Sequence, residues 1–371
     1  MSKVIFKKSS YSYDTLKPTV IELLNDLGKD IIKKNTRVLI KPNLLTAAQP
    51  DKAILTHPLV VKAVAEYVID KGGSVQISDS PATGAFEKIL KEGGYISAFD
   101  GLDVNFKKFT SSVKVDIGKP FGYIDIARDA IEADVVINLA KLKTHTQMLL
   151  TLGVKNMFGC IIGLKKPEWH LKAGVNREMF ATLIVQIYNA VKPSITIIDG
   201  ILAMEGQGPG KAGVPRYLGV IAGSCDAISL DHAICKMLKL DANTLLTNKA
   251  AEKIGLTNNP VDILGDFYKV SNFQFPATGS LSFGPKQLQK LMRKYMIHKP
   301  TADHDKCEMC GICVEYCPAK AITSDIKSIS FNYEKCIRCF CCLEVCPHGA
   351  LKVKQTVIGK LINKLPSFIS I

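Results

Sequence analysis

No run in these 371 residues approaches the roughly 18 apolar residues of a membrane span, and the opening Met1-Ser-Lys-Val-Ile-Phe-Lys-Lys has no apolar core of signal-peptide length. Cysteine is scarce over most of the chain: of twelve, only Cys160, Cys225 and Cys235 precede residue 307. That distribution excludes a disulfide framework and fits a reducing compartment, so a cytoplasmic protein is expected. The three are read as small buried hydrophobes, with a redox or ligand role as the alternative for Cys225 beside Asp226. Two nucleotide signatures are also missing. No G-x-G-x-x-G follows a strand to open a helix, so no nicotinamide cofactor is indicated. Gly210-Lys211-Ala212 is not a P-loop, because Ala212 stands where Ser or Thr is needed and the position five before Gly210 is Glu205. Acidic residues are few, 34 against 48 Lys and Arg, for a net charge of +14. Lys286, Lys290, Arg293, Lys294 and Lys299 concentrate part of the excess, and Lys352, Lys354, Lys360 and Lys364 another part. Such surfaces attract nucleic acid, anionic lipid or acidic proteins. No nucleic-acid motif or interleaved aromatics accompany them, so they are expected to be solvated faces and nucleic acid is not expected as a partner.

What the chain does have is a duplicated cysteine run. Cys307-Glu-Met-Cys310-Gly-Ile-Cys313-Val-Glu-Tyr-Cys317-Pro318 and Cys336-Ile-Arg-Cys339-Phe-Cys341-Cys342-Leu-Glu-Val-Cys346-Pro347 share the form C-x2-C-x2-C-x3-C-P, each cysteine of the first recurring 29 positions later. Glu315 returns as Glu344 and Ala321 as Ala350. Three thiolates two residues apart wrap one face of an iron–sulfur cube, and the fourth, before a proline, reaches the other cube. The spacing therefore predicts two [4Fe–4S] clusters, one on Cys307, Cys310, Cys313 and Cys346, the other on Cys336, Cys339, Cys342 and Cys317. Zinc would use only four cysteines and leave four regularly spaced ones unexplained. Cys341 breaks no spacing and is read as a non-ligand. The segment resembles the bacterial two-cluster ferredoxins.

A chain of this length suggests two or three domains, and 47% hydrophobic with 22% charged residues describes a soluble globular protein with a sizeable core. Strand-like and helix-like segments alternate. Val4-Ile-Phe, Arg37–Lys41, Ser74–Ser78, Ala133–Leu139, Ser194–Ile198 and Leu218–Ala222 read as strands. Helices are expected near Lys17–Leu27, after His57-Pro58, over Asn176–Val191, and from Asp226 to about Leu238. The order predicts an α/β fold: a mostly parallel sheet with helices on both faces, plus a small C-terminal α+β ferredoxin-type unit. The expected division is an α/β domain over 1–284, a basic linker helix over 285–302, the ferredoxin unit over 303–350 and an amphipathic basic tail over 351–371. That tail could lie on a membrane surface or dock back on the large domain.

Asn43, Asp79, Lys141, Lys143, His145, Asp199 and Asp226 all fall just after expected strands, where ligands of open parallel sheets bind. Ordinary turn and cap roles are the alternative for the aspartates. Lys41-Pro-Asn43, Thr56-His-Pro58, Lys141-Leu-Lys-Thr-His145, Gly153-Val-Lys-Asn156-Met-Phe-Gly159, Gly163-Leu-Lys-Lys166 and Asp199-Gly-Ile-Leu-Ala-Met-Glu-Gly206 together resemble the uncharacterised family called domain of unknown function 362, as do Gly208-Pro209 and the Cys225-Asp226…Asp231 segment. That family is often fused to a two-cluster ferredoxin, and its name implies no reaction. A more distant resemblance, to the α/β domain of nickel-dependent lactate-racemase-like proteins, draws attention to His57, His145 and His170; whether the large domain holds a further metal stays open.

Segment 141–170 is the best site candidate. Lys141, Lys143, Lys155, Lys165 and Lys166 suit a carboxylate or phosphate, and His145 and His170 titrate near neutrality. Lys41, Asn43, Asp79, Asn156, Asp199 and Asp226 join them as expected substrate contacts, and Glu205 is a candidate general base. The alternative is solvated lysines and structurally satisfied histidines. The expectation is an iron–sulfur oxidoreductase that exchanges electrons between an external donor or acceptor and an anionic small molecule. A non-catalytic electron carrier or assembly module whose large domain binds a partner is the alternative.

Overall fold

The computed structural model describes residues 1–28, 30–163, 165–256, 260–276, 298–325 and 328–354. The basic segment up to residue 297 and the tail from 355 lie outside them, so the linker-helix and membrane-surface expectations fall on residues not described.

Strands β1 (Ser2–Lys8), β2 (Arg37–Pro42), β3 (Ser74–Ile77), β4 (Asn105–Phe106), β5 (Ser112–Asp116), β6 (Tyr123–Ala127), β7 (Val135–His145), β8 (Leu149–Thr151), β9 (Ile195–Gly206), β10 (Gly213–Ser224) and β11 (Val261–Gly265) build the large domain. One sheet runs in the order β11-β1-β10-β9-β7-β2-β3-β4, with β8 paired to β7 and β5–β6 a separate hairpin. Its neighbours are parallel except where β10 meets β1 and β9, and where β8 meets β7. The alternation of apolar residues assigns the faces. Val38, Ile40, Ile137 and Ile197 pack with helices Tyr13–Gly28 and Pro58–Asp70. Leu39 and Val136 pack on the opposite side with helix Arg177–Val191. The fold is therefore a mostly parallel α/β sheet with helices on both faces.

Helix Pro58–Asp70 follows from its sequence: proline opens the first turn, and His57 caps it by accepting the Leu59 amide at 3.3 Å on Nδ1. Two strands run beyond the sequence expectation. Strand β7 continues past Leu139 through Lys141, Lys143 and His145, every residue buried, because each polar side chain finds a partner inside. Strand β9 likewise runs through Asp199 and forms a long hairpin with β10.

The cysteine repeat folds as a small α+β unit. Lys299–Ala302 pairs with Leu351–Lys354 and Ile322–Ser324 with Ile329–Phe331, with short helices at Ile312–Glu315 and Cys341–Val345. The duplication is written into the backbone. Left-handed residues recur at the repeat spacing: Met309 (φ 53°) with Arg338 (60°), Gly311 (75°) with Phe340 (58°), and Lys320 (45°) with Gly349 (61°).

Candidate functional site

Strand β2 leads to β3 on one side of the sheet, while β7 returns on the other side of β2. This reversal opens a crevice beyond the strand ends, the place where doubly wound sheets bind ligands. A cavity lies there. Lys41 and Asn43 reach it from the end of β2, Asp79 and Ser80 from beyond β3, and Lys143 and His145 from β7. Helix Gly153–Asn156 contributes Lys155 and Asn156, and helix Lys165–Ala173 contributes Lys166 and His170. The remaining wall comes from the cysteine repeat: Tyr316, Cys341, Glu344 and Val345. The Tyr316 hydroxyl also donates to the Ala82 carbonyl, fastening the repeat to the crevice rim.

The charges inside are unevenly matched. Lys41 and Asp79 form a buried pair at 2.9 Å, and Asp79 also accepts the amides of Leu44 (2.8 Å) and Ser80 (2.9 Å). Gly159 makes room for this pair: a Cβ there would sit 2.5 Å from both Asp79 Oδ1 and Lys41 Nζ. Gly159→Ala is expected to cost about 1–3 kcal/mol, as overpacking does, read from the urea midpoint of the anaerobic holoprotein. An unchanged midpoint would sink that reading.

Lys143 donates to Asn43 Oδ1 (2.8 Å) and the Ile54 carbonyl (2.7 Å), neither of them charged. Burial, and then the neighbouring Lys155 charge, pull its pKa down to about 7. Lys166 donates to the Ser80 carbonyl, and burial draws it down to about 8. Lys155 has no hydrogen bond or ion pair among the described residues; its ammonium stands 5.9 Å from the centre of the Phe158 ring. Burial lowers its pKa too.

His145 Nδ1 accepts the amides of Gln147 (3.1 Å) and Met148 (3.2 Å), which fixes the proton on Nε2. Nε2 faces Glu344 Oε1 at 3.0 Å, without the alignment of a hydrogen bond. Burial, then the Lys155 charge, lowers the His145 pKa to about 4, so the ring is neutral at pH 7. His170, stacked on Phe180 at 4.1 Å, is driven by burial to about 3. Glu344 goes the other way: burial would raise it, but His145, Lys155 and His170 outweigh burial and hold it at about 2. Four buried polar atoms in this wall lack a hydrogen-bond partner: Thr151 Oγ1, His145 Nε2, His170 Nδ1 and Glu344 Oε1. Orphans of this kind, converging on one space, mark a place where a ligand or ordered water completes the bonding.

Other expected site residues lie elsewhere. Lys141 pairs with Asp199 at 2.7 Å, both fully buried. Asp199 also takes the Tyr11 hydroxyl (2.8 Å) and the His57 amide (2.9 Å), and the Tyr11 and His57 rings stack at 3.6 Å. This closed network ties β7 and β9 to the start of helix Pro58–Asp70 and leaves no group for a ligand in the cavity. Asp226 caps helix Ala227–Met237 by accepting the amides of Ile228 and Ser229. Glu205 is paired with Arg216 at 2.7 Å and accepts the Gln274 amide. Lys165 pairs with Asp125 on the surface at 2.6 Å. Of the expected residues, the cavity gathers Lys41, Asn43, Asp79, Lys143, His145, Lys155, Asn156, Lys166 and His170. Thr151, Tyr316, Cys341 and Glu344 complete it without having been singled out as contacts.

The repeat holds two cysteine cages. Cys307, Cys310, Cys313 and Cys346 line one space, and Cys317, Cys336, Cys339 and Cys342 another. The crossed composition matches the expected ligand sets. The thiols are free, and each group of four lines one space of its own. Ala321 and Ala350, the repeated pair, donate their amides to Cys317 Sγ (3.2 Å) and Cys346 Sγ (3.3 Å), the amide-to-sulfur bonds that tune a thiolate-held cluster. The residues present therefore fit iron–sulfur ligation.

Comparison with known proteins agrees with this architecture. The family described as a domain of unknown function, DUF362, matches residues 38–236, and a 4Fe-4S dicluster domain matches 299–347. A thylakoid-associated protein of Synechocystis is 35% identical over 306 residues, 79% of this chain and 94% of that protein. The lactate racemase apoprotein of Thermoanaerobacterium thermosaccharolyticum aligns with TM-score 0.40 and 14% identity, over 62% of this chain and 56% of the racemase. Among the described residues no helix is long and apolar enough to cross a membrane. The chain belongs to the DUF362 family, carrying a C-terminal 4Fe-4S dicluster domain suited to iron–sulfur electron transfer.

Proposed function

We propose that the protein is an iron–sulfur oxidoreductase that holds a small anionic molecule in the cavity between its α/β sheet and its cysteine repeat, with one [4Fe–4S] cluster in each cage. The observation that carries this reading is that one wall of the lysine-rich cavity is the very segment that bears Cys339 and Cys342: Cys341 and Glu344, on the short helix that opens there, face Lys155 and His145. Bound clusters supply single electrons at low potential. The polypeptide supplies the rest. Lys143, Lys155 and Lys166 neutralise the anion in a site of low dielectric. His145, neutral and with Nδ1 occupied, presents Nε2–H as a hydrogen-bond donor rather than as a base. An external carrier exchanges electrons with the repeat.

The test is anaerobic. Protein reduced with dithionite is expected to give a [4Fe–4S] EPR signal, and Lys155→Met and His145→Ala variants to keep that signal while losing turnover of, or affinity for, the anion that co-purifies with the wild type. No reducible [4Fe–4S] signal, or variants that behave as the wild type, overturns the reading. Because Lys143 and Lys166 hold their protons only up to about 7 and about 8, affinity for malonate is expected to fall as pH rises from about 7 to about 9. A deprotonated lysine no longer pairs with a carboxylate. A flat calorimetric profile across that range would refute the assignment of these lysines.

A further inference from the structure

Building on the reading that this cavity takes an anion, we infer that its ligand carries two negative charges, as a dicarboxylate or a phosphate monoester does. The warrant is a charge balance taken around the wall. Lysines 41, 143, 155 and 166 face it, against two carboxylates, Asp79 and Glu344, while both histidines are neutral. Lys41 is committed to Asp79 at 2.9 Å. Glu344 stands 3.0 Å from His145 and offsets one positive charge from across the cavity. Counted over the side chains of the wall, two positive charges remain in surplus, shared among three lysines: Lys143 and Lys166 bond only neutral oxygens, and Lys155 bonds none among the described residues.

Unpaired charge is costly to bury, and a group so placed either sheds its proton or waits for a counter-ion. The lowered pKa values of Lys143 and Lys166 agree with the first course where no counter-ion is supplied. A dianion supplies the second, and a monoanion leaves one lysine uncompensated. The polar orphans fit the same ligand. Thr151 Oγ1 and His145 Nε2–H are donors, and a molecule with two oxyanion groups has acceptors for both as well as for the lysines.

Isothermal titration of the oxidised, anaerobic holoprotein near pH 7 tests the inference without turnover. The probes are acetate, malonate and inorganic phosphate at matched ionic strength. Malonate or phosphate is expected to bind at least about tenfold more tightly than acetate; whichever of the two binds more tightly distinguishes a dicarboxylate from a phosphate site. Lys143→Met is expected to bring the dianion down to the acetate level. Lys155→Met does the same and serves as the second variant, because its ammonium anchors no hydrogen bond whose loss could disturb folding. Glu344→Gln is expected to tighten binding of the dianions. Equal affinity for acetate and both dianions, or a preference that survives both lysine variants, overturns the inference. Selective dianion binding by a protein whose reduced clusters never turn the ligand over would instead refute the oxidoreductase reading and leave this one standing.

Discussion

Cys317→Ser is expected to lose about half of the bound iron and inorganic sulfide, about four iron atoms of about eight, and to lose them from the second cage although Cys317 lies in the first half of the repeat. The reason is the crossed composition: Cys317 lines the cage of Cys336, Cys339 and Cys342, while Cys346 closes the cage of Cys307, Cys310 and Cys313. Cys307→Ser should lose the same amount of iron from the other cage, so the two single variants differ in which EPR signal survives. Combining Cys317→Ser with Cys336→Ser is then expected to cost no more iron than either change alone, because both ligands serve one cage. Cys317→Ser combined with Cys307→Ser is expected to remove nearly all of it. If the first pair strips both cages and the second pair only one, the crossed assignment fails. Cys341→Ser is expected to retain all the iron, since Cys341 lines the lysine-rich cavity and neither cage.

The second large effect concerns stability. Lys141→Met is expected to destabilise the fold by about 3–5 kcal/mol, because it leaves Asp199 buried with no countercharge. Asp199 is fully enclosed, and its remaining donors, the Tyr11 hydroxyl and the amides of His57 and Ile201, are neutral. Lys155→Met is the contrasting case. It removes an ammonium that has no ion pair among the described residues, so its cost should be within about 1 kcal/mol or reversed in sign. Urea unfolding of the two holoproteins side by side checks this, and calorimetry checks the complement: Lys141→Met should bind malonate like the wild type. If Lys141→Met proved benign, or abolished malonate binding in protein that remains folded, the separation drawn here between a structural and a binding lysine would be wrong.

That separation could not be read from the sequence, in which Lys141 and Lys143 are two residues apart in one motif. Alternation with Ala140 and Leu142, which pack on the other side, leaves both on the face of Ile137 and Leu139. Lys141 meets Asp199 of the neighbouring β9, while Lys143, two residues further along, reaches Asn43 and the Ile54 carbonyl. Partners of this kind are set by tertiary pairing and leave no local mark. The cysteine ligands were legible because cluster geometry dictates their spacing directly, and the parallel sheet because apolar runs bounded by glycine and proline alternate with helical periodicity. Asn43, Asp79, His145, Lys155 and Asn156 were reachable by the rule that polar residues following parallel strands converge. Glu344 was hidden by the repeat itself. It matches Glu315 position for position and looked like part of the cluster scaffold, yet Glu315 is exposed while Glu344 reaches into the cavity. The role of Glu344 depends on what lies opposite it, and only the docked arrangement of the two units reveals that.

The contact between Tyr316 and Ala82, and the wall that the repeat lends to the cavity, imply a fixed division of labour between the two ends of the cysteine unit. A ferredoxin that diffuses on and off its client must expose the same face for loading and for delivery. Here one face is permanently spent on the client. Cys310 remains exposed, while Cys339 and Cys342 are enclosed beside the cavity. Under the proposed function, a soluble carrier would meet the unit most directly at Cys310, and the cavity would meet it at the opposite end, so loading and delivery would use different faces.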